Sequence, residues 1–425
     1  MRPPLATLLL ATAAALAAAC SSPADADADA EGAGAAVTVE PDLRPELAQV
    51  NDVSILFPLA KTKAAFDRGY LTPASPAQGG TLLPKTLYER AFGAPGTLQI
   101  GGTPAAPALS GLRLVAVRFD PCFAQRGAVQ DESACKNQMR LVFQTLTFQS
   151  NRTVAADDAV HAFYAISREQ LTGAIRTMID LRKRLVRDRR LGPLAPHPLL
   201  KTATGDLEVT IAAEVEALVT SLGGQRNLMQ FTQFATSGLE TTWNFSGFDV
   251  VKNEAMKIPT LPAADDTHVA FFAGFTPGQL EGDPAFVPAS RAPAVDNMQL
   301  LGNRATAAAA GAERRRRAFD ALLRIEHPDL HTPDTIDCAS CHAVEPARKL
   351  IGAKHFPSDI AAARGAFVAD AKYVPAADVA QPEQPDSGVN VHMFSYKGSA
   401  PSIHLRTVNE SAAIAAHVNA RILGR

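Results

Sequence analysis

The most constraining feature of this 425-residue chain is the run Cys338-Ala339-Ser340-Cys341-His342, which lies near its end. Two thiols at this spacing can form thioethers to the two vinyl groups of one haem, and the adjoining imidazole then lies beneath the iron as its proximal ligand. The run therefore predicts one covalently bound haem c. Cys338 and Cys341 are the expected attachment sites, and His342 is the expected iron ligand.

Two other kinds of site share part of this pattern. Cys-x-x-Cys is also a dithiol redox motif, and some periplasmic thiol oxidases carry a histidine directly after it. That site needs an apolar strand before the first cysteine and a helix that begins there, whereas residues 327–335 are polar and contain two prolines. A zinc site would need a second ligand pair, and no other cysteine pair has this spacing. We expect haem, with thiol–disulfide exchange through Cys338 and Cys341 as the alternative.

The start of the chain resembles a bacterial lipoprotein signal peptide, residues 1–19, cleaved before Cys20. Arg2 supplies the positive start, residues 5–16 form a short apolar core, and three alanines precede the cysteine. The apolar core is too short and too rich in alanine to predict a membrane-spanning helix. We expect a lipid on Cys20, an ordinary secretory signal being the alternative; both export the chain.

Residues 20–37 are expected to form a flexible tether, because they are small, acidic and of low complexity and cannot bury apolar area. The predicted location is the bacterial cell envelope, with lipid attachment at the outer membrane or at the periplasmic face of a membrane. No second apolar stretch reaches membrane-spanning length, so lipid is the only expected attachment.

Cys122 and Cys135 are the cysteines that the haem motif and the lipid site leave unassigned. An exported chain meets oxidising conditions, and the pair is therefore expected to form a disulfide, two buried free thiols being the alternative. Closing a loop of this length would stabilise the fold by about 3 kcal/mol in the loop-closure account.

The rest of the sequence predicts two folded parts joined by a linker. Residues 38–282 are expected to form an α+β domain with a mixed or antiparallel sheet, in which residues 111–119 and 139–148 pair as antiparallel strands. A capping box that begins at Ser167 predicts a helix, and residues 207–222 predict another. Residues 283–311, which are rich in proline and alanine, form the expected linker, and residues 312–425 a small, mostly helical domain.

Residues 312–425 resemble the class I c-type cytochromes in the order helix, Cys-x-x-Cys-His, irregular loops and terminal helix. The last helix is expected over 409–423, with Asn409 or Ser411 as its cap. The resemblance implies that Cys338 and Cys341 anchor the haem and that His342 is the proximal ligand. The family usually has a Gly-Pro element after the motif, whereas this chain has only His355-Phe356-Pro357. The sequence therefore does not identify the group that orients the proximal imidazole.

The family usually supplies the sixth iron ligand from a methionine before the last helix. Met393 is the only methionine after the motif and is the expected ligand. His392, His355, His404 and an open iron are the alternatives. In an extended segment His392 points away from Met393, so the two would not bind together.

Composition and motifs limit the function. A formal net charge of −2 gives no electrostatic basis for nucleic-acid binding, and no hydrolase, metalloprotease, phosphate-loop or dinucleotide motif is present. The expected function is electron transfer by a membrane-tethered mono-haem lipoprotein with a redox partner that the sequence does not identify. An electron carrier is favoured over a catalyst; the alternative is a peroxidase-like or oxidase-like enzyme with an open iron.

Overall fold

The structure is a computed structural model, and it describes residues 46–92, 106–121, 136–185, 193–202, 206–236, 242–257, 269–272, 309–331, 338–359, 365 and 390–424. All of them belong to one compact unit, residues 40–425. The predicted signal peptide, tether, lipid site Cys20 and disulfide Cys122–Cys135 lie outside the described residues and stay predictions.

The described strands and helices alternate along the chain. The strands are β1 (Ser54–Leu56), β2 (Pro76–Ala77), β3 (Gly80–Thr81), β4 (Leu112–Asp120), β5 (Gln138–Gln149), β6 (Arg152–Ala155), β7 (Asp158–Ala165), β8 (Leu228–Thr236), β9 (Thr242–Val251), β10 (Glu254–Lys257), β11 (Val269–Phe272), β12 (Phe394–Lys397) and β13 (Ala400–Ile403). The helices are α1 (Val50–Val53), α2 (Lys63–Arg68), α3 (Lys85–Phe92), α4 (Arg168–Leu185), α5 (Pro198–Thr202), α6 (Asp206–Leu222), α7 (Ala312–Ile325), α8 (Cys338–His355) and α9 (Leu405–His417). None of the described helices is long and apolar enough to cross a membrane.

An antiparallel sheet dominates the described residues. Its order is β1-β4-β5-β7-β8-β9-β10, with β6 on β5 and β11 on β9. The predicted pairing of the two early strands is confirmed, since β4 runs antiparallel to β5 from Leu112↔Thr145 to Asp120↔Gln138. Cys122 and Cys135 lie in the connection between the paired ends of these strands. The predicted α+β class with an antiparallel sheet is confirmed.

The predicted start of α4 is also confirmed in atomic detail. The Ser167 hydroxyl accepts from the Gln170 N–H, and the Gln170 side chain accepts from the Ser167 N–H. This reciprocal pair satisfies two helix N–H groups that would otherwise lack acceptors. Leu171, Ile175 and Met178 then form the buried stripe of the helix, as their spacing predicts.

The two faces of the sheet bury different kinds of side chain. On β5, Met139, Leu141 and Phe143 join the apolar core beneath α4 and α6, while Arg140 and Val142 point the opposite way because side chains alternate along a strand. The second face is covered by α7, α8 and the β12–β13 hairpin, which share an apolar cluster with it. A strand in which polar and apolar side chains alternate usually exposes its polar face to water. Here the polar face is covered by the segment that carries the haem motif.

The two ends of the described chain are joined by specific hydrogen bonds. The Asn419 amide accepts from the Ala48 N–H and donates to the Ala48 carbonyl. The Tyr396 hydroxyl donates to the carbonyl of Phe57, and the hydroxyls of Ser54 and Ser411 lie 2.7 Å apart. The predicted linker lies outside the described residues except for 309–311, and the described elements on both sides of it pack into the one unit. A separate cytochrome-like domain over 312–425 stays a prediction.

Two details of the C-terminal part differ from expectation. The last helix begins at Leu405, with His404 at its N-cap, so the predicted caps are wrong. Asn409 instead donates to the carbonyl of Glu326, and Ser411 donates to the carbonyl of Thr407. The helix can start earlier because the carboxylate of Glu345, from α8, accepts the first N–H at 2.7 Å. Where irregular loops are expected directly after the haem motif, the structure has the helix α8.

Candidate functional site

The haem motif forms the first turns of α8. Cys338 and Cys341 are half-buried against the apolar cluster of the second sheet face and are not bridged to each other. His342, on the same turn as Cys341, is buried at 7% exposure. The helix thus holds two thiols and one imidazole together at the covered face of the sheet.

The imidazole of His342 is oriented by a backbone carbonyl. Its Nδ1 lies 2.7 Å from the oxygen of Val391. A carbonyl can only accept, so this contact places the proton on Nδ1 and leaves Nε2 as the nitrogen with a free lone pair. This is the hydrogen bond that fixes tautomer and ring orientation in metal-binding histidines. Val391 therefore orients this imidazole, and the sequence does not identify it.

Burial keeps this imidazole neutral. Removal from water lowers the pKa of His342 to about 3. The hydrogen bond that its Nδ1–H donates to the Val391 carbonyl raises this pKa, and the nearby His404, His392 and Arg140 lower it further. Only the neutral form can donate a lone pair to a metal. The side chain is therefore in its coordinating state across the whole physiological pH range.

Aromatic side chains of the sheet surround the imidazole. Phe234 and Phe245 place their ring centres 5.2 and 5.5 Å from that of His342. His161 of β7 places its ring centre 5.5 Å away, with only 19° between the two ring planes. Flat apolar rings of this kind also suit the faces of a porphyrin.

A cluster of buried arginines lies beside the motif. Arg118 and Arg140 are directly opposite each other on β4 and β5, which is unfavourable for like charges unless anions compensate. Asp120 lies 2.6 Å from Arg118 Nε, and Glu410 of α9 pairs with Arg118 and, at 2.6 Å, with Arg406. Burial raises the pKa of Glu410, but the guanidinium groups outweigh burial and hold its pKa at about 2. Three cations therefore face two carboxylates.

This surplus leaves guanidinium groups with unused donors. Among the described residues, Arg140 Nε and Nη2 and Arg406 Nε are buried and make no hydrogen bond; Arg140 Nη2 only approaches Asp120, at 3.4 Å. Burial and the neighbouring Arg118 lower the pKa of Arg140, while Asp120 and Glu410 raise it. The Arg140 guanidinium also lies over the Phe163 ring, 4.8 Å from its centre. A buried donor without an acceptor is costly, and a carboxylate would satisfy it. The two propionates of a haem are such carboxylates. Arg140 and Arg406 are close enough to the motif to lower the pKa of the Cys341 thiol.

The haem-motif helix is fixed by a buried ion pair. Arg348 Nε donates to Glu326 Oε1 at 2.7 Å, and both side chains are fully buried. Gly365 packs against this pair with φ +74, and a Cβ there would lie 2.4 Å from Glu326 Oε2. Both its backbone angle and its close approach therefore require glycine. The pair ties α8 to the C-terminal end of α7.

The histidines considered as the sixth iron ligand have different surroundings in the structure. His392 has both ring nitrogens engaged, Nε2 with Asp157 at 2.7 Å and Nδ1 with Ser395 at 2.9 Å. His355 is the last residue of α8 and lies roughly 20 Å along the helix axis from His342, so the two cannot bind one iron. His404 is buried and occupies the N-cap position of α9, where its side chain makes no capping hydrogen bond.

Met393 lies in the segment that orients His342. Its side chain is half-buried, and its carbonyl accepts from the His404 N–H at 2.9 Å and from the Thr407 hydroxyl at 3.0 Å. It follows Val391, whose carbonyl contacts the Nδ1 of His342, by two residues.

Three contributors to the site are not identified by the sequence. Val391 acts through its carbonyl, which any residue would supply, so no sequence signal exists. Arg140 and His161 do carry a sequence signal, because each is a polar residue between apolar neighbours on a strand. That signal normally indicates a solvent-exposed face, and only the fold shows that α8 covers it.

The donor set therefore fits a covalent haem: two unbridged thiols, one neutral imidazole with its Nδ1 engaged, and unused guanidinium donors beside them. Of the described residues, no group of three or more His, Cys, Asp and Glu side chains is placed to hold a bare metal ion. Comparisons with protein families, with curated proteins and with solved structures found no match for this chain.

Proposed function

We propose that this protein is an exported mono-haem c-type cytochrome that transfers electrons. The observation that carries the proposal is His342, a buried, neutral imidazole whose Nδ1 is held by the Val391 carbonyl and whose Nε2 is available. Two thiols stand beside it on α8 in the order that covalent attachment requires. Bound haem supplies an iron that accepts one electron and returns it.

Each part of the site has a separate task in this proposal. The thiol of Cys338 and that of Cys341 each add across one vinyl group: a carbon–sulfur bond forms, the thiol proton goes to the other vinyl carbon, and no oxidant is needed. His342 would hold the iron through its Nε2. Arg140 and Arg406 offer donors to the propionates, which would neutralise the surplus positive charge of the arginine cluster.

Thiol–disulfide exchange is the second candidate, because one observation favours it. The helix α8 begins at Cys338, as a dithiol site requires. The preceding residues 332–337, where an apolar strand would have to lie, are outside the described ones. Burial raises the pKa of the Cys341 thiol, and the nearby Arg406 only partly offsets this. A reactive site lowers the pKa of its attacking thiol, so the haem proposal stands first.

A redox titration of the purified protein tests the proposal. We expect one electron per chain, a fully reversible change in the haem absorption, and no steady-state oxidation of a reducing dye by hydrogen peroxide. Rapid turnover with peroxide would instead support the enzyme with an open iron. An absorption that does not change on reduction, together with two reactive thiols per chain, would support the dithiol alternative.

Lipid attachment at Cys20 is part of the proposal, and the substitution Cys20→Ser tests it. The variant should move from the membrane fraction to the soluble fraction, because its signal lacks the residue that receives the lipid. Ser21→Ala is the matched control and should stay with the membrane. A Cys20→Ser variant that remains in the membrane fraction would contradict the lipoprotein assignment.

A further inference from the structure

The peptide group whose carbonyl accepts from His342 is held at its N–H as well. That carbonyl belongs to Val391, and the N–H of the same peptide, which is the N–H of His392, donates to Asn390 Oδ1 at 3.0 Å. An asparagine oxygen that accepts from the N–H two residues further on forms an Asx turn. The N–H and the C=O of a trans peptide point in opposite directions in one plane. Asn390 and His342 therefore hold this peptide from its two sides.

The side chain of Asn390 is itself fixed in one orientation. A backbone N–H can only donate, so the amide oxygen must face His392 and the amide nitrogen must face the other way. There Nδ2 donates to the hydroxyl of Ser402 at 2.8 Å, and this hydroxyl donates to the His392 carbonyl. Asn390 and Ser402 are both buried. The strand β13, which carries Ser402, thus sets the position of the Asn390 oxygen.

The rest of the segment is fixed independently of Asn390. His392 Nε2 lies 2.7 Å from Oδ1 of Asp157, directly before β7, and the His392 side chain is fully buried. The Met393 carbonyl accepts from the His404 N–H at 2.9 Å. These contacts keep the backbone around the peptide in place. Loss of the Asn390 side chain would therefore act mainly on the peptide between Val391 and His392.

A hydrogen bond at one end of a peptide group strengthens the hydrogen bond at its other end, because each polarises the amide. With its N–H held by Asn390, the peptide presents a stronger acceptor at the Val391 carbonyl to the Nδ1–H of His342. A stronger acceptor at Nδ1 makes the imidazole a more basic ligand through Nε2. We propose that Asn390 is a positioning residue for His342 and lowers the reduction potential of the iron by acting through this peptide. This inference rests on the haem function proposed above.

The sign of the effect follows from the charge of the iron. A more basic imidazole stabilises the ferric state more than the ferrous state, because the ferric iron carries the larger positive charge. Removing the Asn390 oxygen weakens the hydrogen bond at Nδ1 and so favours the ferrous state. The reduction potential should then shift to more positive values.

Redox titration of the full-length haem protein and its variants tests this role. Asn390→Ala removes the acceptor oxygen and should shift the potential to more positive values. Asn390→Ser differs from this variant by one hydroxyl, which can accept from the same N–H more weakly than asparagine does, and should recover part of the shift. Ser399→Ala is the matched control. It removes a 2.8 Å hydrogen bond from the same hairpin to the Thr153 carbonyl without touching the peptide, and should leave the potential unchanged.

A second variant and a second measurement support the titration. Ser402→Ala removes the hydroxyl that accepts from Asn390, so it should shift the potential in the same direction, and it serves as the test where Asn390→Ala does not fold. Nitrogen-15 magnetic resonance of the full-length chain made without haem should show His342 with its proton on Nδ1. Exchange of this proton with water should be faster in Asn390→Ala and unchanged in Ser399→Ala.

The outcomes separate this inference from the function on which it rests. Haem staining on a denaturing gel reports covalent attachment independently of the potential. Stained Asn390→Ala and Ser402→Ala variants with the wild-type potential overturn the role of Asn390 and leave the haem function intact. Equal shifts in Asn390→Ala and Ser399→Ala also overturn it, because they would report only a loosened hairpin. Wild-type protein that carries no stain overturns the haem function and this inference together.

Discussion

Replacing Arg348 with methionine is expected to lower the free energy of unfolding by about 3–5 kcal/mol. The substitution keeps most of the side-chain volume but removes the guanidinium from the Glu326 carboxylate, which stays fully buried. A buried carboxylate that loses this counter-charge still bears the cost of its removal from water. The measurement is urea unfolding monitored by circular dichroism. The loss of unfolding free energy is calculated from the shift in the urea midpoint, provided that the dependence of the free energy on urea concentration is unchanged.

The matched control for this prediction is on the neighbouring helix. Arg317 pairs with Glu313 on the exposed face of α7, where both side chains are mostly in water. The same arginine-to-methionine change at this position should cost less than about 1 kcal/mol, because exposed pairs contribute little. If Arg348→Met and Arg317→Met have equal effects, the pair between α7 and α8 does not hold the haem-motif helix in place.

Replacing both Cys338 and Cys341 with serine is expected to abolish covalent haem. A serine hydroxyl does not add to a vinyl group as a thiol does, so His342 would be the only remaining residue of the motif that can hold the iron. Haem that is bound only through His342 leaves the chain on denaturation. The double variant should therefore lose all haem stain from its band on a denaturing gel, while each single variant keeps one thioether.

Ser340→Ala is the control for the serine substitutions. It lies between the two cysteines and changes the motif without removing a thiol, so its band should stain as strongly as that of wild type. A double serine variant that still carries haem through denaturation would show that the motif is not the attachment site.

The parts of the fold that depend on local patterns are predictable from the sequence. The β4–β5 pair follows from alternating apolar residues, and the start of α4 follows from the spacing of Ser167 and Gln170. Both depend on neighbours close in the chain or on the two-residue period of a strand. The motif predicts Cys338, Cys341 and His342 as a haem site without any knowledge of the fold, and this stays a prediction.

The residues of α8 do not predict a helix. Pro346 lies inside it and cannot donate to the carbonyl of His342, four residues earlier. A proline in such a position usually ends a helix. The irregular loops expected here come from the resemblance to class I c-type cytochromes. The contacts of Arg348 and Glu345 with α7 and α9 compensate, and they are tertiary contacts that no local pattern records.

The site as a whole depends on distant residues. The carbonyl that orients His342 comes from Val391, and the arginine cluster joins Arg118 and Arg140 of the sheet to Glu410 of α9. On its strand Arg140 looks like an ordinary solvent-exposed cation. Its burial follows from the way the C-terminal part folds back over the sheet, which the local pattern around Arg140 does not record.

The most direct test of the account is the mass of the intact, denatured protein after export from cells that mature c-type cytochromes. We predict a single chain that exceeds the mass of the processed polypeptide by one haem, and whose haem absorption stays with the chain in denaturant. A colourless chain with the mass of the processed polypeptide alone, in cells that mature another c-type cytochrome normally, would contradict the assignment of Cys338, Cys341 and His342 as a haem site.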